Sequence, residues 1–388
     1  MKKIKKYAWY FPNYHTTPKN DEWHGKGWTE WRCVEFAKPR FEGHMQPKVP
    51  LWGYEDEADP EVFAKKIDAA LEHGFDGFIF DFYWYEGVGP YRKECLENGF
   101  LKAKNSKKCE FALMYCNHSP ISAHPAAYYS KDMRLADGTV NPRLWYDVTQ
   151  YCIDNYFPLE NYIRVDGKPL FILWHLCDLI ADCHGIDGAK MYLDNFRQRA
   201  KAAGFDIHIA ADKHRTPEFI RYCDLTDETE EEYSERRKKC NELLEYLGID
   251  SVTSYNWFNP KPKCWPKIEY SEYTEENIKG FSFDDDFYDI PVSMTVSTGW
   301  DTTPRSVQSD MYDPGTYAGG EVVVGNTPEA VEKAFAKTKK YINSDKHRGH
   351  FLTVSTWNEW TEGNYMEPDE EYGYGYLEAF KRVFKKDE

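Results

Sequence analysis

Short apolar runs recur along the chain and alternate with segments of helical spacing. The runs are rich in β-branched and aromatic residues, which is typical of buried strands. Their near-continuous apolar character predicts a parallel sheet that is covered on both faces. The eight predicted strands are residues 6–11, 77–84, 111–116, 169–176, 207–212, 251–257, 291–297 and 350–356.

Helical patterns separate most of these runs. Residues 59–74 open with acidic side chains, carry apolar residues three and four positions apart, and end at a glycine. The same design recurs at residues 189–204 and 327–343, and residues 374–386 close the chain with a similar pattern. Residues 227–248 predict a further helix, which is acidic at its start and basic later, as suits an exposed position.

Strands and helices in alternation predict an α/β fold, a single (β/α)8 TIM barrel over residues 1–388. Such barrels usually have about 250 residues, so the additional length predicts long loops at the C-terminal face. A doubly wound open sheet is the alternative, but no G-x-G-x-x-G motif follows the first strand. We expect loop insertions near residues 12–58, 117–168, 213–250 and 258–290.

Polar and aromatic residues stand at the carboxyl end of every predicted strand. Barrel active sites lie at that face. Flat rings can cover the apolar C–H face of a sugar while Asp, Asn and His side chains bond its hydroxyls, so the pattern predicts a glycan-binding cleft. The pattern includes Trp174, Asp212 and Lys213. The candidate substrate-binding residues at these ends are Tyr14, His15, Asp81, Tyr83, Trp84, Asn117, His118, His175, Asn256, Trp257, Trp300, Asp301, Trp357 and Asn358.

Charge narrows the possible partners. The chain has 49 basic and 65 acidic residues, a net charge of −16, which disfavours contact with a phosphate backbone. We therefore expect a neutral glycan substrate and no nucleic acid. The charge alone does not predict an oligomeric state.

Apolar content and cysteine usage bear on the compartment. No apolar stretch reaches the roughly 18 residues of a membrane helix, and the basic start lacks the apolar core of a signal peptide. The ten cysteines form no C-x-x-C pair. These features suit a cytoplasmic protein without membrane insertion, and a secreted form trimmed of its signal peptide would look the same.

The stretch TWNEWTEG follows the last predicted strand and carries two glutamates three positions apart. Glycoside hydrolysis needs two carboxyl groups, one to protonate the leaving oxygen and one to assist at the ring. In a turn, which Gly363 permits, positions three apart bring their Cβ atoms to about 5–6 Å. The flanking Trp357 and Trp360 raise a carboxyl pKa toward the range of acid–base catalysis. The sequence therefore predicts Glu359 and Glu362 as catalytic residues.

The segment WNEWTEGNYMEPD, residues 357–369, resembles the signature of the glycoside hydrolase family 99 fold group, the endo-α-mannosidases. It resembles more closely the bacterial WbsX-like proteins of polysaccharide gene clusters. The resemblance runs from near residue 7 to near residue 380. Further matching segments are residues 20–31, 43–54, 59–87, 299–305 and 372–379.

The resemblance implies a retaining mechanism without an enzyme nucleophile, and we expect no cofactor and no metal. In family-99 enzymes the first glutamate of the motif takes the proton from the substrate's 2-hydroxyl, which attacks C1 and forms a 1,2-anhydro sugar. The second glutamate is the acid and then the base. Carried to this chain, Glu359 is the 2-hydroxyl base and Glu362 is the acid/base. The implied substrate is a 1,2-trans, α-mannoside-like linkage within a glycan.

Two segments depart from the WbsX-like pattern. Residues 115–120, YCNHSP, keep Asn117 but lack the acidic residue and one tryptophan of the usual W-A-N-E-x-W segment. Residues 173–178, LWHLCD, replace the common Tyr-Arg-Pro ending. Both changes fall in the predicted cleft wall, so they bear on sugar preference.

Tryptophans also flank Glu30 in the long first loop. Trp28 and Trp31 lie on either side of it, and Trp360 lies between the two motif glutamates. These residues are further candidates for substrate binding, and a salt bridge that structures the first loop is the alternative for Glu30.

Two other patterns contain residue types that are typical of metal sites. His15, His118 and His175 could together ligate zinc, but no H-x-x-x-H or H-E-x-x-H motif joins them. The acidic run at 284–286 is reminiscent of a glycosyltransferase metal motif, yet its surroundings predict a solvated loop.

Two other function classes remain open. WbsX-like proteins are often labelled glycosyltransferases or transglycosylases of surface polysaccharide assembly, which would require a nucleotide sugar, and no phosphate-cradling glycine-rich loop is visible. A glycan-binding barrel without catalysis is the other alternative.

Overall fold

The computed structural model describes residues 4–120, 134–220, 228–257, 266–306, 308 and 320–385. Eight parallel strands within them form one sheet that curls into a nearly closed barrel. The barrel strands are β1 Lys5–Tyr10, β2 Gly77–Tyr85, β3 Glu110–Tyr115, β4 Lys168–Leu173, β5 His208–Asp212, β6 Ser251–Thr253, β7 Thr295–Ser297 and β8 Phe351–Ser355.

The strand order confirms the predicted TIM barrel. Neighbours pair in parallel in the order β7-β8-β1-β2-β3-β4-β5-β6, with Tyr7 of β1 opposite Gly77 of β2. The ends of the sheet meet at Val252 of β6, whose backbone bonds with Pro291 and Ser293 just ahead of β7. Parallel neighbours place all eight carboxyl ends at one face of the barrel.

Helices cover the outside of the barrel, and every predicted helix is present within three residues of its expected bounds. Thr327 caps the helix that follows β7, as predicted, with its hydroxyl accepting the Ala330 N–H. The helices in the described residues are α1 Pro18–His24, α2 Trp31–Glu35, α3 Pro60–Glu72, α4 Pro142–Asn155, α5 Leu176–Asp182, α6 Ile186–Ala202, α7 Glu230–Leu247, α8 Tyr270–Phe287, α9 Pro328–Ile342 and α10 Gly375–Phe384.

The acidic run at 284–286 lies in α8, so the expectation of a solvated loop is wrong. Asp284 is buried and pairs with Lys213, and Asp285 is buried and accepts a 2.7 Å hydrogen bond from the Tyr341 hydroxyl. Each of these carboxylates has a partner distant in sequence, although Asp285 Oδ1 is buried without a hydrogen-bond partner among the described residues.

The ranges assigned to loop insertions contain both loops and helices. Residues 117–168, 213–250 and 258–290 include α4, α7 and α8 respectively, whereas residues 12–58 contain the short helices α1 and α2. The long first loop reaches the C-terminal face and contributes side chains there.

Aromatic residues dominate the core. Phe63 of α3 packs on Tyr10 and Phe80, with ring centroids 5.1 and 6.0 Å apart. Trp357 lies fully buried at 5.1 Å from the ring of Phe78. This dense packing fixes the position of the chain just after β8.

None of the helices in the described part of the chain is long and apolar enough to cross a membrane. The cysteines whose positions are described are free thiols, namely Cys33, Cys95, Cys109, Cys116, Cys152, Cys177, Cys183 and Cys240.

Candidate active site

The two motif glutamates lie in a tight hairpin at the end of β8. Asn358–Glu359 pairs antiparallel with Asn364–Tyr365, and the residues Trp360–Glu362 between them form a 3-10 turn. Gly363 ends that turn at φ 59°, and a Cβ there would lie 2.6 Å from the Cβ of Asp301. The turn expected from Gly363 is thus present, and no larger residue fits at this position.

Arg305 bridges three buried carboxylates. One terminal nitrogen of its guanidinium contacts Glu362 and the other contacts Glu359. Its Nε also donates to Glu30 Oε1 at 3.1 Å. Glu30 is fully buried and accepts further hydrogen bonds from the Thr361 hydroxyl at 2.6 Å and from the Asn13 amide. A single cation therefore fixes both motif glutamates relative to the first loop.

Burial raises the pKa of Glu359 well above its ordinary value, the negative charge of Glu362 raises it further, and Arg305 opposes the shift. Tyr255 donates a 2.6 Å hydrogen bond from its hydroxyl to Glu359 Oε2. Burial also raises the pKa of Tyr255, so it remains a donor. The direction predicted for Glu359 from its apolar surroundings agrees with this environment.

A third carboxyl group faces the motif glutamates from β2. Burial raises the pKa of Asp81 well above its ordinary value, Glu362 adds to the increase, and Arg92 opposes it. Asp81 Oδ1 is buried without a hydrogen-bond partner among the described residues. Burial and the neighbouring negative charge therefore favour the protonated form of Asp81.

These groups open onto one cavity of about 240 Å³ at the C-terminal face. Aromatic walls surround the acidic groups, as a sugar-binding site requires. The lining side chains include Phe11, Tyr83, Tyr85, Trp174 and Tyr255 as aromatic groups, Asp81, Glu359 and Glu362 as carboxyl groups, and Arg92, Arg305 and His118 as nitrogen-bearing groups.

A family model described as "Glycosyltransferase WbsX" matches residues 6–380. The chain belongs to the WbsX family. A curated relative, the uncharacterized protein WxcX of Xanthomonas campestris pv. campestris (strain B100), is 24% identical over 404 residues. That match covers 98% of this chain and 49% of the relative, so the chain spans about half the length of the curated relatives it matches.

Solved structures share the fold of this WbsX-family chain. A protein described as glycoside hydrolase-like matches with a TM-score of 0.60 and 14% identity, over 98% of this chain and 94% of the other. The glycoside hydrolase family 99 endo-alpha-mannosidase of Bacteroides thetaiotaomicron matches with a TM-score of 0.56 and 13% identity, over 98% and 96% of the two chains. At these identities the likeness concerns the barrel alone.

The structure brings five of the predicted site residues of the WbsX-family barrel to the cavity surface, and the others lie behind or beside it. The five are Asp81, Tyr83, His118, Glu359 and Glu362. Those placed outside the cavity lining are Tyr14, His15, Trp28, Glu30, Trp31, Trp84, Asn117, His175, Asn256, Trp257, Trp300, Asp301, Trp357, Asn358 and Trp360.

Three residues flanking the glutamates are fully buried, which corrects the expectation that they contact a sugar. The Trp360 indole N–H donates to Glu367 at 2.7 Å, and its ring stacks on Tyr365. Asn358 bonds the backbone of Phe11 with both ends of its amide, and Trp357 packs in the core. Because these side chains have no exposed face, they hold the motif in place instead of binding substrate.

First-loop residues support the same hairpin. The Tyr14 hydroxyl accepts the Trp360 backbone N–H at 3.1 Å. The ring of Trp31 lies 4.1 Å from that of Tyr14, and Trp28 stacks on His24. Glu30 forms the structural salt bridge considered as the alternative for it, here with Arg305.

Asp301 positions Arg305 from the other side. Its carboxylate accepts hydrogen bonds from Gln46 and lies against the ring nitrogen of His44, both at 2.7 Å. The same carboxylate accepts the Thr303 N–H at 3.0 Å at the start of the 3-10 turn Thr303–Arg305. Asp301 thus lies outside the cavity lining with protein partners for its carboxylate, and a contact with substrate stays a prediction.

The remaining predicted contacts have partners of their own. Asn117 exchanges hydrogen bonds with the His175 backbone, and the His175 ring lies 2.9 Å from Asp178. Half-buried Trp84 packs on Tyr151, and Trp300 is half-buried outside the cavity. The side chain of Asn256 accepts a hydrogen bond from the Ser297 hydroxyl, and the Trp257 indole donates one to the Thr295 carbonyl at 2.6 Å.

In the described residues, no group of three or more His, Cys, Asp or Glu side chains is arranged to hold a metal ion.

Arg305, Tyr255 and Arg92 are among the cavity residues that sequence reasoning did not single out. Arg305 stands in residues 299–305, a segment that matched the family pattern. Trp174, which belongs to the strand-end pattern, lies at the cavity surface. Tyr255 and Arg92 carry no local signal, because only the closing of the barrel brings them to the glutamates.

His15 is fully buried between Glu57 and Glu94, where a sugar cannot reach it. Its Nδ1 lies 3.1 Å from Glu57 Oε1. Burial by itself lowers the pKa of His15, but the two carboxylates outweigh burial and raise the pKa to about 9. Because Glu57 also accepts the Tyr14 backbone N–H at 2.8 Å, His15 stabilises the loop after β1.

Charged His15 is expected to stabilise the protein at acidic and neutral pH. The folded pKa of about 9 exceeds the ordinary value of 6.5, so the stabilisation is complete below pH 6.5 and is lost as the pH rises through 9. The full contribution is about 3 kcal/mol. His15→Gln should lower the melting temperature strongly at mildly acidic pH and weakly above the folded pKa. An equal decrease in the melting temperature of His15→Gln at both pH values would contradict a stabilising role of charged His15.

Proposed function

We propose that this protein is a retaining glycoside hydrolase that cleaves a 1,2-trans, α-mannoside-like linkage within a glycan. The observation that carries the proposal is the pair Glu359 and Glu362, bridged by Arg305 and facing a cavity with aromatic walls. The structural likeness to an enzyme described as an endo-alpha-mannosidase supports the choice of linkage.

In the proposed reaction Glu359 accepts the proton of the 2-hydroxyl while that oxygen attacks C1 of the same sugar. In the reacting form of the pair Glu359 is ionised and Glu362 holds the proton. The bond between C1 and the leaving oxygen breaks, and Glu362 donates its proton to that oxygen. Glu362 then removes a proton from water, which opens the 1,2-anhydro ring at C1, and the 2-oxygen regains a proton from Glu359. Two inversions at C1 give net retention of configuration.

The environment of Glu359 suits a base. A carboxylate with a raised pKa is a stronger proton acceptor once it is ionised. Arg305 and the Tyr255 hydroxyl both contact its oxygens, and both favour the ionised form. The cavity volume of about 240 Å³ is below the about 300–1,000 Å³ of pockets that enclose a drug-sized ligand. We expect it to enclose the sugar that reacts and to leave the rest of the glycan outside.

The experiment that tests the proposal is product release from a panel of α-mannans and bacterial polysaccharides, without and with nucleotide sugars. Fragments from wild-type protein in the absence of a nucleotide sugar support a hydrolase. Glycan extension that depends on a nucleotide sugar would instead favour the glycosyltransferase activity in the family description. Binding without either change would favour a glycan-binding barrel.

Tyr255→Phe is expected to move the acidic limb of the pH–rate profile to higher pH. The substitution removes the hydrogen bond that stabilises ionised Glu359, so the pKa of Glu359 rises and the base form appears at higher pH. The check is kcat/KM as a function of pH for wild type and Tyr255→Phe. Tyr246→Phe is the matched control, since its hydroxyl bonds Asp187 on the exposed surface. An unchanged acidic limb in Tyr255→Phe would contradict Glu359 as the base.

A further inference from the structure

The cavity contains a second arginine that the proposed mechanism does not use. Arg92 is 9% exposed and lines the same cavity as Glu359 and Glu362. It follows the hairpin in which Tyr83 of β2 pairs with Tyr91, and its backbone has φ 64°, which is unusual for a residue other than glycine. The chain thus turns sharply at Arg92 and directs it to the cavity.

Three aromatic rings hold the Arg92 guanidinium. Its central carbon lies 5.1 Å from the ring centroid of Phe11, 4.9 Å from that of Tyr83 and 4.6 Å from that of Tyr91. Such rings attract the cation and restrict its movement. They offer no formal negative charge to balance it.

Arg92 also forms no ion pair with a described residue. Burial lowers the pKa of Arg92, whereas the charge of buried Glu30 acts on it and raises that pKa. The described residues nevertheless give Arg92 no carboxylate within ion-pair distance, and its Nε is buried without a hydrogen-bond partner among them. Asp81 is a cavity carboxyl whose pKa burial raises well above its ordinary value, while Arg92 opposes that increase. Arg305 in the same cavity has three carboxylate partners.

A buried guanidinium without a counter-charge is unfavourable, and an anion supplied by a ligand relieves that cost. A neutral hydroxyl can accept a hydrogen bond from Arg92 but leaves its charge unbalanced. A planar carboxylate matches the guanidinium fork with two parallel hydrogen bonds. A uronic acid, a hexose oxidised at C6, carries such a carboxylate.

We propose that Arg92 selects an acidic glycan by pairing with the carboxylate of a uronic acid residue in the cavity. The inference rests on the proposed function for the reaction but concerns the identity of the sugar. It replaces the neutral substrate expected from the net charge of the chain, because the local charge at Arg92 decides recognition within the cavity.

The test is the binding of uronic acids to the wild-type protein, measured by calorimetry or saturation-transfer NMR. The probes are glucuronic, galacturonic and mannuronic acids, the methyl ester of each, the parent hexoses, and hexose 6-sulfates and 6-phosphates. We expect at least one uronic acid to bind about 10- to 100-fold more tightly than its methyl ester, which keeps the shape and removes the charge.

Variants at Arg92 provide a second part of the binding experiment. Arg92→Gln should remove the preference for the acid over its ester, and Arg92→Lys should retain part of it. If Arg92→Gln does not fold, the comparison of acid and ester binding to the wild-type protein still tests the proposal. No binding of any uronic acid, equal binding of acid and ester, or tighter binding of the sulfates or phosphates would overturn the proposal.

Binding requires no bond cleavage, so the outcome is independent of the hydrolase assignment. A uronic acid preference without glycan cleavage would leave Arg92 recognition in place and remove the proposed reaction. Cleavage of neutral glycans with no uronic acid preference would support the proposed reaction and overturn the proposed role of Arg92.

Discussion

Glu362→Gln is expected to lower kcat/KM on a natural glycan by about 10²- to 10⁴-fold, the range for loss of a general acid–base group. Glutamine keeps the size of the side chain and can still bond Arg305, but it cannot donate a proton to the leaving oxygen. The measurement is the initial rate of fragment release by wild type and variant, with melting temperatures recorded in parallel.

A substrate with a nitrophenolate leaving group separates the acid role from a general loss of structure. Such a leaving group departs without protonation, so the first step in Glu362→Gln should approach the wild-type rate. Glu370→Gln is the matched control, because Glu370 is exposed a few residues further along the same segment. Equal losses on natural and activated substrates would contradict the acid role of Glu362.

Arg305→Met is expected to destabilise the protein by about 3–5 kcal/mol, the cost of removing one partner from a buried ion pair. The variant leaves Glu30, Glu359 and Glu362 buried without the cation that bridges them. Arg305→Lys should recover only part of the loss, because one ammonium group cannot match the fork of a guanidinium. Chemical or thermal unfolding provides the measurement.

Two comparisons sharpen the interpretation of Arg305. Arg382→Met removes an exposed pair with Glu332 and should cost about 0–1 kcal/mol. The difference between wild type and Arg305→Met should narrow as the pH falls, because the carboxylates take up protons and no longer need the cation. A loss in Arg305→Met no greater than that of Arg382→Met would contradict the bridging role.

The barrel could be predicted because the sequence patterns that indicate its strands and helices are local. Each strand is a short apolar run, and each predicted helix carries its own spacing and caps, as with Thr327 ahead of α9. The acidic run at 284–286 was misjudged because the partners of Asp284 and Asp285 are Lys213 and Tyr341, which only the folded chain brings near.

The site could be predicted only in part, and for a related reason. An aromatic residue at a strand end suits both a sugar platform and a core position, and local sequence does not distinguish the two. Trp357 and Trp360 lie in the core, whereas Trp174 reaches the cavity. Arg305 was missed because its importance comes from three carboxylates located far from it along the chain.

The central claim is a retaining hydrolysis that uses the substrate's own 2-hydroxyl. The most direct measurement is the anomeric configuration of the first product, followed by proton NMR from the moment wild-type protein is added to a cleaved glycan without a nucleotide sugar. The 2-deoxy analogue of the substrate is followed in parallel. The account predicts a product that first appears with the configuration of the substrate, and no cleavage of the 2-deoxy analogue. Inverted product, or ready cleavage of the 2-deoxy analogue, would contradict it.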